Sequence, residues 1–387
     1  MLSYPTPLTP PTTEDDRLSR LRLIRSRRIG VATFYRLLAE HGSARAALDA
    51  LPDIARAAGV EKYAPCPEPV ALAELRAGKA VAARLLCWDE PDYPAALRHI
   101  ADAPPLLWAM GDLTLAQRPM VALVGARNAS SLGTRMARKL AEGLSAAGLT
   151  VVSGLARGID AAAHLAALPQ GTVAVMAGGV DVVYPVENTA LADAIGKKGL
   201  RLSEQPCGLE PQARHFPLRN RIISGLARCV VVVEAAARSG SLITARCALD
   251  QGRDVMAVPG SPFDGRASGC NMLIRDGATL VRSAEDVLEL LKLPTAGPDQ
   301  TGTVPTAVTD PPGGAVELAD PTSAPSRPEA AALHRRILGQ LGPSPLAEDQ
   351  LIRDLAIAPA AIAPELLALE LEGQILRHPG GLLSRAV

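Results

Sequence analysis

Apolar positions along the chain change their period, and the changes divide it into regions. From Arg17 to about Lys79, Leu18, Leu21, Ile24, Val31, Phe34, Leu37 and Leu38 recur at helical spacing, with Gly30, Gly42 and Gly59 as breaks. That pattern predicts a small helical domain over 17–83. From Met120 the period shortens. β-branched runs at Val121–Val124, Thr150–Ser153, Thr172–Met176, Arg201–Ser203, Cys229–Glu234, Asp254–Val258 and Thr279–Val281 alternate with helical stretches. Strands separated by helices predict a parallel sheet covered on both faces, here over 119–293. In the last region, 329–387, Leu333, Ile337, Leu338, Leu351, Ile352, Leu355, Leu366, Leu367 and Leu369 again follow a helical period. The stretch from Gly373 to Leu383 then predicts a two-stranded wing behind three helices.

The segments between these regions lack such periods. Residues 1–16, rich in Pro and Thr, read as a disordered tail, and 294–328, with Pro, Gly, Thr, Asp and Ser, as a flexible linker. Residues 84–118, with Pro91, Pro94, Pro104 and Pro105 around Trp88, Tyr93 and Trp108, read as an extended connector packing its aromatics on the next domain.

Composition narrows the class. At 387 residues the chain is long enough for two or three cores, and 48% hydrophobic with 3% aromatic residues means cores of Ala, Val and Leu. The six cysteines form no Cys-x-x-Cys pair, so reduced thiols are expected. No apolar run reaches the ~18 residues of a membrane span, which points to a cytoplasmic protein. Formal charge is zero overall, yet 119–293 holds 19 Lys+Arg against 15 Asp+Glu, and 329–387 holds 5 against 7. The positive excess sits on the α/β region.

Ligands of an open parallel sheet bind at the carboxyl ends of its strands. The loops there are Gly125-Ala126-Arg127-Asn128-Ala129-Ser130, Ser153 to Gly158, Ala177-Gly178-Gly179, Arg238-Ser239-Gly240-Ser241 and Pro259-Gly260-Ser261. Glycine lets backbone N–H groups approach an anion, hydroxyls donate to its oxygens, and a following helix aims its positive end at the same point. One such loop is ordinary turn chemistry; five together make an anion cradle. The stretch 211–233 adds Arg214, His215, Arg219, Arg221 and Arg228 without an acid, beside Phe216 and Asn220. Arginine beside an aromatic suits phosphate contact with base stacking. Asp160 and His164 share a helix face, but no third ligand at a metal-site spacing accompanies them, so neither metal nor cofactor is expected. Asp160 is expected to cap the following helix, His164 to be packed, and Glu234 to be held by loop N–H groups. The dinucleotide fingerprint, the Gly-x-Ser-x-Gly elbow and the Walker Gly-Lys-Ser/Thr are all missing.

Several of these stretches together resemble the signature series of the DprA/Smf family. They are Val124-Gly125-Ala126-Arg127, Ser153 to His164, Tyr184-Pro185, Ser203-Glu204, Phe216 to Ile223, and Glu234-Ala235 followed by Ser239 to Thr244. The resemblance implies an extended Rossmann-like α/β domain between an N-terminal helical, sterile-alpha-motif-like (SAM-like) domain and a C-terminal winged-helix-like domain. It implies a homodimer without established catalytic activity, which binds and protects single-stranded DNA during natural transformation. It also implies RecA recombinase as a partner, loaded onto that strand past single-strand-binding protein. By position, Arg127, Arg219 and Arg221 become phosphate contacts, Asn220, Ser239, Gly240, Ser241 and Thr244 line the pocket, and Phe216 is a stacker. Ser130, Gly154, Arg157 and Arg214 complete the candidate nucleic-acid set. Ala126 stands where the family usually has Ser, and Val186 where some members have Lys, with Arg157 and Arg214 as possible substitutes. The acidic balance of 329–387 favours protein contact over DNA there. A nucleotide-binding or nucleoside-monophosphate-cleaving Rossmann enzyme is the alternative, since Ser239-Gly240-Ser241 loosely resembles the glycine-rich loop of such enzymes. Two short stretches, Ile29-Gly30-Val31 and Leu51-Pro52-Asp53-Ile54, match helix-hairpin-helix modules but fit a plain helical bundle equally well.

Overall fold

The computed structural model describes residues 13–293, 327–342, 345–378 and 382–386. Residues 13–291 and the described part of 292–387 form two separate compact units. Residues 1–12 of the expected tail (1–16) and residues 294–326 of the expected linker (294–328) lie outside the described residues; Glu14 and Arg327, within those expected bounds, already open helices.

Helices α1 (Glu14–Arg25), α2 (Val31–His41), α3 (Ala44–Ala57) and α4 (Glu68–Ala80) make the predicted N-terminal domain around Leu23, Phe34, Leu37, Ala47 and Leu48. The next segment departs from its reading as a connector. Arg84–Cys87 (β1) and Leu106–Gly111 (β2) pair antiparallel, and β2 pairs antiparallel with Leu200–Ser203 (β6), so both belong to the main sheet. Its aromatics pack as expected. Trp108 is 2% exposed, its indole N–H donates to Glu74 Oε1 at 2.9 Å, and any Cβ at Gly78 would sit 2.2 Å from its ring. Arg25 grips the same Glu74 at 2.9 and 3.0 Å and donates to the Glu204 carbonyl at 3.1 Å, docking the helical domain on the sheet.

The predicted strands follow as Met120–Gly125 (β3), Thr150–Ser153 (β4), Thr172–Val175 (β5), β6, Cys229–Glu234 (β7), Asp254–Ala257 (β8) and Thr279–Leu280 (β9). They are parallel, and the sheet runs β1-β2-β6-β5-β4-β3-β7-β8-β9. Helices α5 (Ser131–Ala146), α6 (Ile159–Ala167) and α7 (Thr189–Lys198) link the strands from β3 to β6, while α8 (His215–Leu226), α9 (Ser241–Asp250), α10 (Ser268–Arg275) and α11 (Ala284–Leu290) belong to the other half. Ile222, Ile223, Ala245 and Cys270 pack on Val124, Val152, Val173 and Val232 on one face of the sheet; Leu191 and Ile195 pack against Ala174 on the other. Central strands are therefore buried on both sides, as the continuous run from Cys229 to Glu234 requires. Strand order reverses between β3 and β7, which opens a crevice at their carboxyl ends.

The second unit holds α12 (Arg327–Gln340), α13 (Glu348–Leu355) and α14 (Pro359–Leu371), with Leu346–Ala347 (β10), Ile375–His378 (β11) and Leu382–Arg385 (β12) ordered β10-β12-β11. Ile337, Leu351, Ile362, Leu366, Ile375 and Leu383 form its core. This is the expected three helices and wing, with one short added strand. No described helix is long and apolar enough to cross a membrane.

Candidate nucleic-acid interface

The crevice between β3 and β7 is a cleft of about 650 Å³. Its walls are the loop after β3 (Arg127, Asn128), the loop after β7 (Arg238, Ser239, Gly240), the start of α9 (Ser241, Thr244) and one side of α8 (Phe216, Arg219, Asn220). Most of the predicted set therefore converges at the switch point.

Close packing of glycines brings these loops together. A Cβ at Gly158, whose φ is +75°, would sit 2.2 Å from the Ala126 carbonyl, and one at Gly125 would meet Ile159 at 2.5 Å. The Ala126 N–H donates to the Glu234 carbonyl at 2.6 Å, tying the two switch-point loops. Glu234 is held as expected: one carboxylate oxygen accepts from the Ser130 N–H at 2.9 Å and the other from the Ser130 hydroxyl. That same hydroxyl accepts from the Gly133 N–H at 2.9 Å and caps α5. Ser130, 6% exposed, thus builds the loop rather than facing the cleft.

The two arginines of α8 part company. Arg219 is 6% exposed and forms the cleft floor, its Nη1 donating to the Gly154 and Val175 carbonyls at 2.6 and 2.8 Å. Gly154 is the space Arg219 needs, since a Cβ there would lie 1.8 Å from Nη1. Burial lowers the Arg219 pKa to about 10, the Asp160 carboxylate opposing the drop, so it stays charged at neutral pH. Asp160 does not cap the helix that contains it; its Oδ2 accepts from the Gly154 and Ala156 N–H groups at 3.1 and 3.3 Å, closing the preceding loop. Arg221 is absent from the cleft wall. It pairs with Glu204 and donates to the Asp102 carbonyl at 2.5 Å.

At the mouth, exposed Arg127 lies over the Phe216 ring, 5.1 Å from its centroid, and Phe216 meets Tyr184 at 5.7 Å. Arg157 joins Arg127, Tyr184 and Phe216 around a small adjoining recess, with Glu187 3.4 Å away. Arg214 is exposed outside the cleft wall, its Nε donating to His215 Nε2 at 3.4 Å. Ser239 and Ser241 share a 2.7 Å hydroxyl contact. The side chains of Arg127, Arg238, Asn220 and Thr244 have no hydrogen-bond or ion-pair partner among the described residues, so their donors face the cleft unspent. Arg238 and Arg266 were not singled out from the sequence. Arg238 is the cation inside an already suspect loop, and Arg266, paired with Asp264 at 3.1 Å, reaches the cleft from beyond β8. Among the described residues no His, Cys, Asp and Glu cluster could hold a metal ion.

Comparison with known proteins bears on this arrangement. Residues 84–292 match the family described as DNA recombination-mediator protein A, 14–77 its helix-hairpin-helix N-terminal domain, and 321–381 its winged-helix domain. The chain belongs to the DprA/Smf family of DNA-processing proteins. It is 52% identical over 198 residues to the DNA processing protein DprA of Streptococcus pneumoniae, covering 51% of this chain and 70% of that one. Against the Synechocystis protein Smf it is 38% identical over 315 residues, 76% of this chain and 77% of that one. The crystal structure of the Streptococcus pneumoniae DprA superposes with a TM-score of 0.52 at 49% identity, over 53% of this chain and 73% of that one. A Helicobacter pylori DprA structure, described for its single-stranded DNA binding mode, gives a TM-score of 0.50 at 29% identity, over 54% and 95%. The α/β architecture with flanking helical and winged-helix domains is thus the family's.

Proposed function

We propose that this chain binds single-stranded DNA in the β3–β7 cleft and acts as a recombination mediator, protecting the strand and passing it to a RecA-type recombinase during transformation. The observation that carries the reading is the exposed Arg127 guanidinium stacked on Phe216, facing the unspent Arg238, Asn220 and Thr244 groups. Cations at the mouth meet phosphates, the aromatic pair offers a face to an unstacked base, and amide and hydroxyl groups reach sugar or base edges. The buried charge of Arg219 raises the potential of the floor without itself reaching out. Asp160, the carboxylate in the wall, is spent on two loop N–H groups, which supports binding over hydrolysis. The winged-helix unit suits a protein contact, because α14 carries Glu365 and Glu370 and no Lys or Arg. Homodimerisation and contact with single-strand-binding protein belong to the same proposal.

Fluorescence anisotropy of labelled single- and double-stranded oligonucleotides tests the reading, with wild type and Arg127→Ala/Arg238→Ala. Preference for the single strand, weakened in the variant, supports it. Equal indifference to both forms, with release of free base from nucleoside monophosphates, would replace it with a nucleotide-cleaving enzyme. RecA assembly on strands precoated with single-strand-binding protein, followed with and without this protein, tests the loading step.

A further inference from the structure

The chain has three phenylalanines. Phe34 is core and Phe216 walls the cleft, but Phe263 is 80% exposed on the loop between β8 and α10. That loop is firmly built. Asn271 brackets Gly260 with two hydrogen bonds, accepting from its N–H at 3.1 Å and donating to its carbonyl at 3.0 Å. The Asp264 N–H donates to the Ser261 carbonyl at 3.0 Å, the Ala267 N–H to the Asp264 carbonyl at 2.9 Å, and a Cβ on Gly260 would press into Ala267 at 2.4 Å. The loop is also fixed to the cleft wall: the Ser268 hydroxyl accepts from the Ala237 N–H at 3.0 Å, and Arg266 itself lines the cleft. An aromatic held out in water on a rigid base, three residues from a cleft-lining arginine, offers an open ring face.

We propose that Phe263 is a second base-stacking platform, which extends the nucleic-acid track from Phe216 and Arg127 past Arg238 onto the β8 loop. The inference rests on the single-stranded DNA reading of the cleft. Loops after β4, β3, β7 and β8 belong to adjacent strands, and three inter-strand steps of about 4.8 Å span roughly 14 Å, so one strand of nucleic acid can run across them. A duplex keeps its bases stacked on each other and offers the ring nothing, so the platform selects the single strand.

A length series of oligothymidylates, titrated against wild type, Phe263→Ala and Phe263→Trp, tests it. Phe263→Ala is expected to weaken binding of the longer strands about five- to a hundredfold while leaving the shortest that still bind unchanged. Phe263→Trp is expected to retain affinity and to gain an indole emission that the single strand quenches, over the wild-type signal of Trp88 and Trp108. Unchanged affinity at every length together with an unquenched indole overturns the proposal. If Arg127→Ala still weakens binding in that case, the cleft reading survives it; if wild type binds no single strand, both fall. A shift in sedimentation of Phe263→Ala with intact DNA affinity also overturns it, because the ring then serves contact between copies of the chain.

Discussion

The Arg221 guanidinium is clamped between the Glu204 carboxylate and the Asp102 carbonyl, two residues along α8 from Arg219 on the cleft floor. Two residues are about 200° of helix rotation, so when one side chain faces the cleft the other turns away from it. Arg221 therefore sets the rotation of the helix that presents Phe216, Arg219 and Asn220. Arg25 donates to the Glu204 carbonyl, which ties the helical domain into the same clamp.

Arg221→Ala takes from the half-buried Glu204 its paired cation and leaves Arg25 as the other positive charge near it, and burial already raises the Glu204 pKa against the pull of Arg221 and Arg25. Breaking a buried pair from one side costs about 3–5 kcal/mol. We expect a marked drop in the urea midpoint of unfolding, partly restored by Glu204→Gln in the same chain, which removes the stranded charge. Any loss of DNA affinity should come with an unchanged salt slope, because no phosphate contact is removed. A shallower slope in Arg221→Ala would restore it as a phosphate contact.

Arg127→Ala behaves in the opposite way. The side chain is exposed and its partner is the face of Phe216, so folding stability should move by less than about 1 kcal/mol. The plot of log affinity against log salt for single-stranded DNA should lose roughly 0.7 of slope, one released counterion. Equal slopes in wild type and variant would remove Arg127 from the phosphate path.

The difference between these arginines shows where sequence reading stops. Central strands were legible because burial on both faces demands unbroken apolar runs, as at 229–233, and the glycine-rich loops follow from where such strands end. β1 and β2 were not, because β2 joins the sheet by pairing with β6, almost a hundred residues away, β1 joins it only through β2, and their surroundings are rich in proline. The arginines of α8 share one short stretch, and which of them meets ligand depends on the helix rotation set by Glu204 and by the gap at Gly154. Ser130 is a similar case: hydroxyls in anion cradles and hydroxyls that cap helices occur in the same sequence setting.

Gly154→Ala tests the floor. The added methyl would collide with the Arg219 guanidinium at 1.8 Å, and the arginine is held at both the Gly154 and Val175 carbonyls, so it cannot simply swing aside. Overpacking of this kind costs about 1–3 kcal/mol. Thermal unfolding should report that loss, and DNA affinity should fall with it because Arg219 and Phe216 share the helix. Gly240→Ala is the control, since its Cβ position is open and its backbone is right-handed; stability should hold within about 0.5 kcal/mol.

Acid should unfold the α/β domain through His164. The ring is fully buried on α6, and the Thr172 hydroxyl donates to the Val151 carbonyl at 2.8 Å, which leaves it as acceptor for His164 Nδ1–H at 2.8 Å. Protonation would have to occur at Nε2, which is buried without a partner and feels the Arg219 charge; burial first, then Arg219, lowers the pKa to about 3. An unfolded histidine titrates near 6.5. Between these values the unfolded chain takes up a proton that the folded chain refuses, so stability is intact above about pH 6.5 and falls by about 1.4 kcal/mol per unit below it. Buried Asp160 and Glu234, whose pKa values burial raises, work the other way, so the His164 contribution has to be isolated by difference. His164→Gln cannot titrate, and the loss of stability between pH 7.5 and pH 5 should be about 2 kcal/mol smaller in the variant than in wild type. Parallel urea midpoints for the two proteins across that range would mean that the buried ring accepts its proton without cost.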